Sequence, residues 1–313
     1  MGKVAALFPG QGSQAVGMGR DVAERFSEAA GVFRAADEAL DVSLSSLCWE
    51  GPEDELRLTE NTQPALLTHS VAAWRVLAAG GLTVAAVAGH SLGEYSAVVA
   101  AGGLRFADAV RTVRTRGRLM QEAVPVGEGA MAAILGLADG EVVALCREVS
   151  SSGSGEVVAA NFNSPGQVVI AGAAGAVAAA VDLSRARGAR RAVTLPVSAP
   201  FHSPLMAPAR AGMEPVLSAL DLDDLEVPVY RNVDAEPVRA AVDVRDGLVR
   251  QVDAPVRWSE TIIRMREDGF DTFLEVGTGA VLSGLVRRID RDAVCHPAGT
   301  VAQIEEVLAT IVV

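Results

Sequence analysis

The chain has 313 residues, 50% of them hydrophobic and 21% charged, so it can bury a sizeable core without metals or disulfides, and a disordered chain is excluded. Its 27 Lys and Arg against 39 Asp and Glu leave a net charge of -12, which repels nucleic acid and anionic lipid at long range. Cys48, Cys146 and Cys295 are far apart, odd in number and without a C-x-x-C pair, the pattern of reduced core residues in a cytoplasmic protein.

Length predicts about two domains, or one large domain carrying an insertion. Val4 to Phe8 reads as a buried strand cut short by Pro9 and Gly10, too short a run for a secretory signal. Thr68 to Ala79 is helix-like and carries His69. Val84 to Ala88 reads as a second strand, followed by Gly89-His90-Ser91-Leu92-Gly93 and a helical stretch that stops at Gly102-Gly103. Polar residues and glycines interrupt the apolar run from Gly80 to Ala101, so no membrane span is expected. Ala107 to Ala123 has helical period. Between 127 and 197 the order is strand (Ala130 to Leu135), helix (Gly140 to Val149), strand pair (Val157 to Ala171), helix (Ala173 to Ala186) and strand (Ala192 to Val197), with Ser150 to Gly155 as a mobile loop. That is the ferredoxin-like β-α-β-β-α-β pattern. Val227 to Tyr230 and Thr272 to Val276 complete the strands. The expected fold is α/β: a large domain (1–126 and 198–313) with a mostly parallel sheet, and an inserted ferredoxin-like small domain (127–197).

Gly89-His90-Ser91-Leu92-Gly93 is a G-x-S-x-G between strand and helix, the context of a nucleophile elbow. Glycines flank the serine because the turn is tight, and the following helix offers N–H groups and a dipole to an oxyanion. A serine needs a base. His90 reads as a hydrogen-bonded support and His69 as structural. His202, in the proline-stiffened Pro200-Phe201-His202-Ser203-Pro204, and His296, near the end, both stay open on position alone. On the 107–123 helical wheel Arg116 lands at the edge of the apolar face, while Arg111, Arg114 and Arg118 point away. An inward guanidinium needs an anion, and geometry leaves a protein carboxylate and a substrate carboxylate equally open.

Phe8-Pro9-Gly10-Gln11-Gly12-Ser13-Gln14, Thr62-Gln63-Pro64-Ala65, Gly89-His90-Ser91-Leu92-Gly93-Glu94, Arg116-Gly117, Asn161-Phe162-Asn163-Ser164-Pro165-Gly166-Gln167 and Pro200-Phe201-His202-Ser203 occur in one order. In this the chain resembles the malonyl-CoA:acyl carrier protein transacylases from about residue 4 to 290. The resemblance implies a hydrolase-like large domain with a ferredoxin-like insert. It implies Ser91 as nucleophile, His202 as base, the N–H groups of Gln11 and Leu92 as oxyanion hole, and the main-chain carbonyl of Gln251 as the group that orients the imidazole. It implies Arg116 as a bidentate clamp on the malonyl carboxylate, with Gln63, Asn161 and Phe201 also lining the substrate site. Phe201 resembles malonyl-selective members, because a bulky ring leaves little room for an α-methyl group.

The implied partners are malonyl-CoA and an acyl carrier protein bearing phosphopantetheine, with no metal and no cofactor of the enzyme's own. A monomer satisfies the sequence, which does not determine the oligomeric state. An acidic carrier meeting an acidic enzyme requires a local basic patch, for which Arg190, Arg191 and Arg287 are candidates, alongside Arg185, Arg187, Arg288 and Arg291. Where members of the family have Pro-Gly-Lys after Glu-Val-Gly, this chain has Thr278-Gly279-Ala280 after Gly277, which puts that loop's part in the site in question. Three rivals remain: a serine esterase or thioesterase with His296 as base, a catalytically idle docking subunit, and a dinucleotide-binding protein. The last rests on Gly10-Gln11-Gly12-Ser13-Gln14-Ala15, but no second strand ending in an acid follows.

Overall fold

Strand β1 (Lys3–Phe8) alternates its side chains between two apolar environments: Ala6 and Phe8 enter one core cluster, Ala5 and Leu7 another. A strand buried on both faces belongs in the middle of a sheet covered by helices. The computed structural model describes residues 2–197 and 199–312 and places it there. The other strands are β2 (Ala86–Gly89), β3 (Gly129–Leu135), β4 (Val157–Ser164), β5 (Gln167–Ala173), β6 (Arg191–Thr194), β7 (Val229–Tyr230), β8 (Pro237–Val238), β9 (Phe270–Val276) and β10 (Val294–Ala298).

The larger sheet has the order β10-β9-β1-β2-β7-β8, parallel throughout except for the β7–β8 edge pair. Its register puts Phe8 beside Gly89, so the chain leaves β1 and β2 side by side at their carboxyl ends. The helices Thr59–Ala79, Gly93–Ala100 and Phe106–Glu122 cover one face. Trp258 and Ile262 pack against the other, where they meet Phe273 of β9. The second sheet, β4-β5-β3-β6, is antiparallel, and the helices Asp139–Ser151 and Ala174–Ala186 pack with it around their own core. Main-chain hydrogen bonds tie the two parts together, from Phe162 to Val256 and from Val256 to Ala160, both 2.9 Å.

The structure is thus a mixed α/β fold with a mostly parallel sheet and a second, antiparallel one. Some expectations differ from it. β10 and the short β8 were not foreseen. Ser150 and Ser151 are the last residues of a helix, not part of a loop, with the Ser150 hydroxyl bonded to the Val157 carbonyl at 3.1 Å. The helix carrying His69 begins nine residues early, at Thr59, and runs through Pro64, an interior position where proline removes one i→i−4 hydrogen bond. Leu195 to Val197 leave the sheet after β6. Residue 198, where the second part of the large domain was to begin, lies outside the described residues. No helix among the described residues is long and apolar enough to cross a membrane.

Candidate active site

Ser91 follows β2 on a turn that only glycine can flank. A Cβ on Gly89 would overlap the Gly93 carbonyl, and one on Gly93 would overlap the Phe8 carbonyl. Ser91 itself has φ 52°, in the left-handed region that L side chains rarely adopt. His202 has φ 58°. Two of the four non-glycine residues with positive φ among the described residues are therefore these two, and such strain persists only where the surroundings hold it.

The surroundings do so through hydrogen bonds. The Ser91 N–H donates to Asn232 Oδ1 at 2.6 Å, and Asn232 Nδ2 donates to the Gly89 carbonyl at 2.7 Å. At the other end, the Ser203 hydroxyl donates to the Pro200 carbonyl at 2.7 Å and braces the turn before His202. Ser91 Oγ and His202 Nε2, 111 residues apart in the chain, lie 2.7 Å apart.

The other ring nitrogen, Nδ1, faces two carbonyls, Gln251 at 3.0 Å and Ala254 at 3.2 Å. Two acceptors there assign the proton to Nδ1 and leave Nε2 bare to accept from the serine hydroxyl. Burial, then the nearby Arg116 charge, pushes the imidazole down to about 3, while the two carbonyls oppose the shift. The imidazole is thus neutral across the physiological range. Above pH 5 the rate of serine acylation is expected to show no acid limb at the usual histidine value near 6.5, checked by kcat/KM against pH. Stability has the opposite requirement. Below 6.5 the unfolded chain binds a proton that the folded one refuses, so this residue makes stability fall as pH drops from about 6.5 toward 3.

Arg116 is 1% exposed and forms no ion pair among the described residues. Nη1 donates to Gln63 Oε1 at 2.9 Å, and Nη2 donates to Gln251 Oε1 at 2.9 Å and to Ser91 Oγ at 3.2 Å. The Tyr95 ring lies 5.6 Å away. The Arg116 Nε–H has no hydrogen-bond partner among the described residues. A buried cation surrounded by neutral acceptors is an unfinished anion site.

These groups converge on a cleft of about 420 Å³, lined among others by Gln11, Gln63, Ser91, Arg116, Asn161, Phe201 and His202. The backbone N–H groups of Gln11 and Leu92 meet no acceptor among the described residues, although the Gln11 side chain reaches Thr59 Oγ1 at 3.3 Å. Gln251 is wholly buried and touches the site through both its carbonyl and its amide. His90 bonds Asn163 Oδ1 at 2.8 Å, and His69 bonds the Gly299 carbonyl at 2.9 Å. His296 is on the edge strand β10, separated from β2 by β9 and β1, and does not line the cleft. Residues 277 to 280 do not line it either. They turn through Gly277 (φ 125°) and Gly279 (φ 88°) into the Val281–Ile289 helix, whose first N–H groups are taken by Glu275.

Arg190, Arg191 and Arg287 are exposed, form no ion pair among the described residues and lie outside the cleft lining. Arg191 opens β6 and Arg190 directly precedes it, whereas Leu195 to Val197, past its other end, line the cleft. Sequence reading missed Asn232, Glu94 and Tyr95. Glu94 stood inside a quoted motif without a role, and Asn232 lies two residues past an expected strand at the carboxyl edge of the sheet, the one signal that could have singled it out.

The model of the acyl transferase domain family matches residues 6–304. The chain is 50% identical over 291 residues to the malonyl CoA-acyl carrier protein transacylase of Bacillus subtilis, covering 93% of this chain and 92% of that one. Among solved structures it resembles the Coxiella burnetii malonyl CoA-acyl carrier protein transacylase (TM-score 0.96, 41% identity, 99% and 98% of the chains covered). It also resembles a malonyl-transacylase held in complex with a type II PKS acyl-carrier protein (TM-score 0.95, 44% identity, 98% and 99% covered). With a strained serine against a neutral imidazole and a buried arginine beside them, and likeness along nearly its whole length, the chain belongs to the malonyl CoA-acyl carrier protein transacylase family of acyl transferases.

Proposed function

We propose that the chain moves a malonyl group from malonyl-CoA to the phosphopantetheine thiol of an acyl carrier protein through an acyl-Ser91 intermediate, in fatty acid or polyketide synthesis. The observation that carries this reading is the 2.7 Å contact of Ser91 Oγ with His202 Nε2, with the Arg116 guanidinium 3.2 Å from the same oxygen. Ser91 Oγ attacks the thioester carbonyl while His202 takes its proton, and the N–H groups of Gln11 and Leu92 hold the oxyanion. The imidazolium returns the proton to the departing CoA sulfur. The carrier thiol then gives its proton to His202 and attacks the acyl-serine, releasing Ser91. Arg116 grips the free carboxylate from its Nη edge, where the N–H now given to Ser91 Oγ passes to the substrate. Fixing that carboxylate holds the ester in line for the thiol.

Phe201, 7% exposed in the cleft wall, narrows the space for an α-substituent, an effect worth about 1–3 kcal/mol against methylmalonyl. Gln63 holds Arg116, and Asn161 completes the substrate wall. The reading uses no metal and no cofactor of the enzyme's own, since phosphopantetheine arrives on the partner. Cytoplasmic placement is supported by three buried, unpaired cysteines. We read the larger sheet as a hydrolase-like domain (1–126 and 198–313) interrupted by a ferredoxin-like one (127–197), whose strand order β6-β3-β5-β4 supports that description. An esterase using His296 is disfavoured by the position of that residue outside the cleft.

Intact-mass measurement after incubation with malonyl-, methylmalonyl- and acetyl-CoA tests the reading, which predicts malonyl on Ser91 and its loss to an added carrier. The unpaired Arg190 and Arg191 are offered as the local basic patch for that carrier. Reversing both charges is expected to raise the carrier KM by roughly tenfold while malonyl-CoA loading stays unchanged. An unaltered carrier KM would remove the patch.

A further inference from the structure

Glu94 is 1% exposed and forms no ion pair among the described residues. One of its oxygens, Oε2, accepts two N–H groups: the main chain of Asn232 at 2.9 Å and the Gln251 amide at 2.9 Å. Both bonded groups lead to the reacting atoms. Asn232 pins the Ser91 N–H through its side chain and so holds the left-handed turn. The Gln251 amide nitrogen also donates to the Ser91 carbonyl at 2.9 Å, its oxygen accepts from Arg116, and its main-chain carbonyl accepts from His202. A single carboxylate oxygen therefore sits behind the nucleophile, the anion clamp and the imidazole, without touching the cleft.

We propose that Glu94 is a positioning residue, and that the site uses its Oε2 as a fixed acceptor at full side-chain length rather than its charge. Both donors to it are neutral amides, which need an acceptor and not a counter-ion. Protonation on Oε1 leaves Oε2 free to accept both bonds. This fits a carboxyl that burial raises to about 7, because the arrangement is then the same in either protonation state. Two cations act on it through space and neither is bonded to it: Arg116 is bonded to Gln63, Gln251 and Ser91, and Arg231 is paired with Asp234. The inference rests on Ser91 being the acylated residue.

The test is a pair of variants that exchange the two properties. Glu94→Gln keeps length and an acceptor oxygen and removes the charge. Glu94→Asp keeps the charge and withdraws the oxygen by one methylene. The readout is the single-turnover rate constant for malonyl transfer to Ser91 at saturating malonyl-CoA, located by peptide mass spectrometry. Glu94→Gln is expected within about threefold of the unsubstituted rate, and Glu94→Asp slower by roughly a hundredfold, the size of effect that follows an ångström-scale displacement. A merely structural loss would lower the labelled fraction and leave the rate constant of the active sites unchanged. Glu94→Asp acting at the native rate, or Glu94→Gln as slow as Glu94→Asp, overturns the proposal. Malonyl on a residue other than Ser91 in the unsubstituted protein overturns the nucleophile assignment itself.

Discussion

Ser91→Ala is expected to abolish acyl-enzyme formation and to lower malonyl transfer by roughly ten-thousandfold or more, and His202→Ala to do nearly the same. The two act as one unit because the hydroxyl is a weak nucleophile until the imidazole, 2.7 Å away and neutral, accepts its proton. The losses should therefore not add, and the double variant should transfer no more slowly than either single one. Intact-mass labelling and transfer to carrier measure both effects. His202→Ala at native speed, with His296→Ala inactive, would return the base to the carboxyl-terminal candidate and sink the assignment.

Arg116→Met is expected to cost much activity on malonyl-CoA and little stability. The guanidinium lies buried among Gln63, Gln251 and the Tyr95 ring with no carboxylate bonded to it among the described residues, so the free protein bears a desolvation cost that Glu94 offsets only through space. Exchange for an apolar chain of similar length removes that desolvation but leaves the buried Gln63 and Gln251 oxygens without their donor, so the two effects offset and folding stability should change by only about 1 kcal/mol. The malonyl carboxylate, in contrast, would enter a dry cleft with no counter-charge. That should lower kcat/KM for malonyl-CoA by roughly a hundred- to several-thousandfold, matching the about 3–5 kcal/mol of a buried charge left unpaired. Acetyl-CoA, which lacks the carboxylate, should lose little, so selectivity collapses. Chemical denaturation together with kinetics on the two thioesters measures both. Equal losses on both substrates would show that Arg116 serves the site's shape and not the substrate's charge.

The elbow was readable because its cause is local. Glycine at 89 and 93 answers backbone crowding within a few residues, and the period-2 and period-3.6 patterns around them report which faces are buried. The inward turn of Arg116 was readable for the same reason, from its place on a single helical wheel. Where local patterns compete, reading failed. The segment Val294–Ala298 carries Cys, His and Pro within five residues and does not look like a strand, yet it pairs in register with β9 as the sheet edge, where a proline is tolerated. Ser150 and Ser151 look like linker and are helix, because Ser150 finds a carbonyl partner in β4.

The order of residues by itself determined the α/β class, the serine on its turn, the inward arginine and, through a set of motifs in one order, the family. Position alone left the base open between two histidines, which the resemblance narrowed to His202, and nothing in the sequence spoke of a role for Glu94 or Asn232. Those were decided only in three dimensions, where Asn232 meets Ser91 across 141 positions and Gln251 across 160. The physical reason is that propensity and periodicity act over a turn or two of chain. The pKa of His202, the missing counter-ion of Arg116 and the shared oxygen of Glu94 depend instead on desolvation and hydrogen bonding among segments that meet only when the sheet is assembled.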